Sequence, residues 1–233
     1  MQNVTCAVIA AAGMGTRIGL GMPKCMIEIE GKTILTRLVE MLRPHVSLIN
    51  VVVGYREEMV IEYCARHHRD VVLVRNQDYR TTNTAYSFAK GAANTPGKVI
   101  YLDGDLLISP ESLSSFLRSA ADKEILVGLT DAKSENAVFA ECLDNKNELM
   151  ITSFSRSQNS IFEWANVVSG PSNLLVDASG YVFERLVEQL PLEGKLLNLA
   201  EVDTAADLIA AHNFVHDLAL SAAALGSGHY QKK

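Results

Sequence analysis

The chain has 233 residues, 48% hydrophobic and 21% charged, and its 27 acidic side chains against 21 basic ones give a formal net charge of -6. That composition suits a globular chain, expected as one domain with a substantial core, and excludes disordered and membrane-embedded classes. The acidic balance argues against nucleic acid as a partner, and the scattered Cys6, Cys25, Cys64 and Cys142 form no C-x-x-C pair, which suits a reducing cytoplasm.

Val4 to Ala10 is a short apolar run with no basic residues ahead of it, read as a buried strand of a parallel sheet and not as a signal peptide. It opens onto Ala10 to Lys24, a glycine-rich stretch carrying Arg17 and Lys24. Met26 to Glu30 alternates as a short strand, and Thr33 caps a helix that runs to about Arg43, ahead of Pro44. Leu48 to Gly54 reads as a strand, Arg56 to His68 as a helix, and Val71 to Arg75 as a third strand, which is βαβ rhythm. The pair His67-His68 is read as charge near that helix's C-terminal dipole.

Asn76 to Thr84 is polar and turn-rich and leads into a helix over roughly Ala85 to Ala93. Lys98 to Leu102 is a fourth strand ending in Asp103-Gly104-Asp105, and Pro110 to Ala121 with Glu124 to Thr130 completes the alternation. Ala137 to Leu143 and Glu148 to Phe154 then read as a hairpin. Ser155 to Pro171 has no clear period and is read as lining or covering a site. Asp177 to Gln189 is expected as a helix stopped by Pro191. Thr204 and Asp207 resemble a capping box for a long last helix. His212 and His216 lie on its Ile209 to Leu220 stripe, read as helix packing or a homo-oligomer face. That helix is interrupted by polar residues, and no membrane insertion is expected.

Three stretches could carry chemistry. Gly13-Met14-Gly15-Thr16-Arg17 begins like a dinucleotide fingerprint, but Ile18 stands where the third glycine belongs, and Lys24-Cys25 does not complete a Walker loop. Two glycines that let backbone N-H groups approach, followed by a guanidinium and a lysine, suit a polyphosphate. Asp103 and Asp105, at a parallel strand's carboxyl end, lie where open α/β sheets bind ligands, and hard carboxylate oxygens suit Mg2+. Asp203, just before the last helix, reads on its own as that helix's cap.

The G-x-G-T-R run followed by Pro23-Lys24 resembles the nucleotidyltransferase superfamily of sugar-phosphate and phosphoalcohol nucleotidyltransferases, and most of the chain is similar to its short cytidylyltransferases, such as those for phosphocholine or inositol 1-phosphate. The resemblance implies a three-layer α/β/α sandwich with a mixed, mainly parallel central sheet. Residues 1-130 or so would hold the nucleotide and about 131-225 the acceptor, with 226-233 a flexible tail.

It further implies Mg2+-dependent transfer of a nucleotidyl group, most readily CMP from CTP, to a small phosphorylated or phosphonate acceptor, with release of pyrophosphate. A sugar-1-phosphate nucleotidyltransferase using UTP, dTTP or GTP is the alternative. By the same resemblance Arg17 and Lys24 act on the phosphates, and Asp105 and Asp203 hold the metal. Ala11, Ala12, Gly13, Met14, Gly15, Thr16, Asn76, Thr82 and Asn83 face the nucleotide. Tyr86, Asp103, Glu163 and Trp164 face the acceptor; if that acceptor carries a quaternary ammonium, Trp164 and Glu163 would offer it an aromatic face and a charge, and the alternative for Trp164 is core packing.

Overall fold

Strand β1 (Val4–Ala11) sends alternate side chains to opposite faces, Ala7, Ile9 and Ala11 into one apolar cluster and Cys6 and Val8 into another. The computed structural model describes residues 3-15, 17-133, 137-145, 148-177 and 180-227. After β1 come a short 3₁₀ turn (Lys24–Met26), β2 (Glu28–Ile29), β3 (Lys32–Thr33), α1 (Ile34–Leu42), β4 (Leu48–Val53), α2 (Glu57–His67), β5 (Val72–Arg75) and α3 (Thr84–Ala92). Next are β6 (Lys98–Asp103), β7 (Leu106–Ile108), α4 (Pro110–Ala120), β8 (Leu126–Asp131), β9 (Phe139–Asn145) and β10 (Glu148–Ser155). The chain continues through β11 (Phe162–Pro171), α5 (Val182–Val187), β12 (Leu192–Leu196), β13 (Leu199–Glu201) and α6 (Ala205–Ser227).

The main sheet runs β5-β4-β1-β6-β11-β8-β12-β10-β9. Its first four strands are parallel, β11 joins β6 antiparallel, and the rest is mixed. A further pairing of β9 with β11 closes the last five strands on themselves. Side chains of α1, α2 and α4 pack in the first cluster and those of α3 and α5 in the second, which makes the three expected layers. The carboxyl ends of β1 and β6 therefore meet where such sheets bind ligands.

Local signals set most boundaries. The Thr33 hydroxyl accepts from Thr36 N at 3.0 Å, and Pro110 opens α4 behind Ser109. Ser155 to Pro171 departs from expectation, because most of it is β11, a strand packed between β6 and β8. The helix expected from Asp177 begins only at Val182, where Glu184 reaches back to the Tyr181 N-H at 2.8 Å. His68 is not a helix-end charge: it is 4% exposed, its Nε2 lies 2.8 Å from Thr36 Oγ1, and burial, with Arg43 adding to it, pushes its pKa down. On α6, His212 pairs with Glu30 at 2.7 Å. No helix among the described residues is long and apolar enough to cross a membrane.

Candidate active site

The loop after β1 returns on a short turn whose Cys25 and Met26 are buried in the first cluster, so Lys24 projects from a fixed base. Burial also pushes the Cys25 thiol pKa up, which leaves it a packing residue. Gly15 has φ +56°, and a Cβ there would stand 3.0 Å from Lys24 Cγ. Lys24 Nζ lies 2.7 Å from Asp105 Oδ2 and 2.6 Å from Asp203 Oδ1, while Arg17 pairs with the second oxygen of Asp203. Burial alone would lower the Lys24 pKa, but Asp105 and Asp203 together outweigh it and raise it.

Asp103 ends β6, and Asp105 immediately precedes β7. Between them Gly104 donates its N-H to Ala10 O at 2.9 Å, and a Cβ there would fall 2.7 Å from that same carbonyl. Neither backbone can yield without moving the acids or the cradle. Gly104→Ala is therefore expected to cost about 1-3 kcal/mol of stability, in line with overpacking, and to lower activity with it. Urea unfolding midpoints check this, and an unchanged midpoint would contradict the contact.

The third acid arrives through a second, small sheet. β13 pairs antiparallel with β7, Glu201 opposite Leu106, and the Val202 N-H donates to Asp105 O at 3.1 Å. That pairing carries Asp203 to Lys24. Sequence left Asp203 between metal acid and helix cap. The cap is made instead by Asp207, which accepts from Thr204 N at 2.8 Å, and by Thr204 Oγ1, which accepts from Asp207 N at 3.2 Å. Asp203 is thereby free to face the cations. Burial would raise its pKa, yet Lys24 and Arg17 lower it overall.

The acids oppose one another electrostatically. Burial pushes Glu201 up to about 7, and Asp105 adds to the shift. Burial also raises Asp103 well above the carboxylate range, helped by Asp105 and Glu201. Asp103 Oδ1 and Asp105 Oδ1 are buried with no hydrogen-bond partner. Orphaned buried carboxylate oxygens are costly unless a cation or donor meets them. The described residues hold no preassembled group of three metal-ligating side chains. The partnerless Asp105 Oδ1 is a hard oxygen of the kind that Mg2+ takes from one or two carboxylates together with substrate phosphates. Asp105 and Asp203, astride one ammonium, are the residues that would hold it.

These groups line a cleft of about 280 Å³ whose floor is Ala10, Ala11, Ala12, Gly13 and Gly15. Its far wall is the loop from Asn76 to Thr84. The Asn76 amide donates to Thr82 Oγ1 at 3.1 Å and Ser87 Oγ at 3.0 Å and accepts from Asp78 N at 3.0 Å, so Asn76 shapes that wall from inside. Asn83 sits at the N-cap of α3 without a side-chain cap bond, and its side chain is not spent there.

Residues 7–158 match the profile of the MobA-like NTP transferase domain. The chain belongs to that family. The bifunctional protein GlmU of Neisseria meningitidis serogroup C is 37% identical over 138 residues, 58% of this chain and 29% of that protein, so this chain spans less than a third of that relative. The inositol-1-phosphate CTP transferase of T. maritima shares the fold at TM-score 0.71 and 18% identity, covering 94% of this chain and 98% of its own. The CTP:phosphocholine cytidylyltransferase of Streptococcus pneumoniae does so at 0.69 and 15%, covering 92% and 100%.

In this NTP transferase domain the cleft gathers Ala11, Ala12, Gly13, Gly15, Lys24, Asn76, Thr82, Asn83, Asp103 and Asp105, with Arg17 and Asp203 reaching it through ion pairs. Met14 is 42% exposed and does not line it, and Thr16 lies outside the described residues. Tyr86 is half-buried and bonds Asp78 Oδ2 at 3.0 Å. Trp164, 9% exposed, belongs to the second core cluster, where its indole N-H donates to Val167 O at 3.3 Å. Glu163 is buried beside it and accepts from Lys133 N at 3.4 Å. Sequence reasoning passed over Glu201 as a site residue. Its signal was the period of two in Glu201-Val202-Asp203, which puts both acids on one side of an extended segment.

Proposed function

We propose that this cleft transfers a nucleotidyl group, most readily CMP from CTP, to a small phosphorylated or phosphonate acceptor with release of pyrophosphate. The observation that carries the reading is the Lys24 ammonium, fixed between Asp105 and Asp203 at the mouth of a glycine-lined floor. An acceptor oxygen attacks the α-phosphorus in line with the departing pyrophosphate, so the protein has to position and stabilise charge and needs no nucleophile of its own. Lys24 supplies a mobile positive charge to the reacting phosphate, and Arg17 a planar fork to the leaving group. Bound Mg2+ would supply charge neutralisation across the phosphates. Backbone N-H groups of Gly13 and Gly15 and the Asn83 side chain are the donors and acceptors left for phosphate and base, while the Thr82 hydroxyl donates to Asp78 O at 2.8 Å and accepts from Asn76.

Support for CTP comes from two solved neighbours whose names carry it. The acceptor side lies along β6 and β11, where Asp103 at the end of β6 and Glu201 at the end of β13 give the cleft its carboxyl groups. Such a wall favours hydroxyl- or ammonium-bearing acceptors. Trp164, packed in the core, does not offer that wall its aromatic face. Pyrophosphate release measured over CTP, UTP, dTTP and GTP, against phosphocholine, 2-aminoethylphosphonate, inositol phosphate and sugar 1-phosphates, tests the reading. CTP-dependent release with a small phospho- or phosphono-acceptor is expected. Nucleotide binding with no release for any acceptor would sink the enzyme reading, and release with a sugar 1-phosphate and another base would replace it with the alternative.

A further inference from the structure

Asn166 is held at φ +55° in the middle of β11, a left-handed backbone that strands avoid and that asparagine tolerates better than most residues with a side chain. The pairing of β11 with β8 breaks at the same place: Trp164 faces Leu129 but Val168 faces Val127, so the strand bulges between them. In a regular strand Asn166 would share the face of Trp164 and Val168, which packs in the second apolar cluster and would leave its amide without partners. The left-handed backbone turns the amide towards the cleft, where Nδ2 donates to Glu201 Oε2 at 3.3 Å. Among the described residues this is the hydrogen bond that the Glu201 side chain makes.

Position narrows what the pair can do. The phosphate floor follows β1, the acids Asp103 and Asp105 follow β6, and Asn166 lies on β11, on the side of β6 away from β1. Glu201 itself lines the cleft. Burial and the like charges of Asp105, Asp203 and Glu163 act against its ionised form, with Lys24 opposing them. A neutral donor anchored in a sheet is what can hold it still without adding charge to a site that must also take phosphates.

Resting on the transferase reading above, we propose that Asn166 is a positioning residue for the acceptor: its amide fixes the Glu201 carboxyl on the β6–β11 wall so that it accepts a hydrogen bond from a hydroxyl or ammonium group of the acceptor.

Two variants separate backbone from amide. Asn166→Gly keeps the left-handed conformation without steric cost and deletes the amide, while Asn166→Asp keeps the size and sets a carboxylate against Glu201. Asn166→Gly is expected to raise the acceptor KM about tenfold, the scale of one lost hydrogen bond to a charged group, with the nucleotide KM and the unfolding midpoint unchanged. Asn166→Asp raises the acceptor KM further. Combined with Glu201→Gln, Asn166→Gly adds nothing, because the group it positions is already altered. An acceptor KM equal to wild type in Asn166→Gly, or both KM values and the midpoint moving together, overturns the proposal. A readout independent of turnover is the side-chain amide resonance of Asn166, which shifts in Glu201→Gln if the pair exists and stays put if it does not. Absence of turnover in the wild-type protein removes the transferase reading, and the resonance then still decides whether Asn166 holds Glu201.

Discussion

Replacing Lys24 by alanine is expected to cut turnover by about 10²- to 10³-fold, the loss seen when one preorganised electrostatic group is removed, while the fold survives. The fold should survive because Lys24 sits on a turn anchored by Cys25 and Met26, which keep their places in the core. Turnover should fall because the ammonium has no substitute: Arg17, the nearest cation, is already paired with the outer oxygen of Asp203. Lys24 also neutralises Asp105 and Asp203 where burial makes bare carboxylates expensive.

The Lys24→Ala protein is accordingly expected to melt lower without divalent cations and to recover part of that loss when Mg2+ is added, because the cation takes over the neutralising role. Steady-state pyrophosphate release and thermal melts with and without Mg2+ check both halves. Wild-type turnover in the variant would remove Lys24 from the reaction. A melt indifferent to Mg2+ would mean that ammonium and metal do not share the two carboxylates.

The parts of the site that could be read in advance are those that lie together in the chain. The glycines, Arg17 and Lys24 fall within one loop behind an apolar run, and Asp103-Gly104-Asp105 ends the next strand of the sheet, so local spacing was enough. Asp203 was ambiguous because an acid before a helix serves equally as a cap. Only the observed bonds from Thr204 and Asp207 released it. β11 was invisible for a different reason. Trp164 and Val168 pack in one apolar cluster and Ala165 and Val167 in the other, so the strand is buried on both faces and shows no alternation of polar and apolar residues by which it could be recognised. Trp164 could be assigned to the acceptor only while its strand was unknown. Glu201 owes its position to the pairing of β13 with β7, a contact between segments far apart in sequence, so the local period of two could place it beside Asp203 but not beside Asp105.

Removing one carboxylate should have a larger effect than removing the lysine. Asp105→Asn and Asp203→Asn are each expected to lower kcat/KM by about 10³-fold or more, because in the proposed reaction each would take away a carboxylate that holds the charge-neutralising cation. Groups that act on one metal act as a unit, so the double variant should be hardly worse than either single one. The stability consequence has the opposite sign at Asp105. Its charge raises the cost of ionising both Asp103 and Glu201, and its Oδ1 is buried without a partner. A neutral amide relieves that repulsion, and Lys24 keeps Asp203. Asp105→Asn is therefore expected to melt at or above the wild-type temperature in metal-free buffer and to lose the stabilisation that Mg2+ with nucleotide gives the wild type. An enzyme that holds acids together at a cost in stability holds them for a cation. A variant that melts lower and still responds to Mg2+ would show that Asp105 serves the fold and that the metal binds elsewhere.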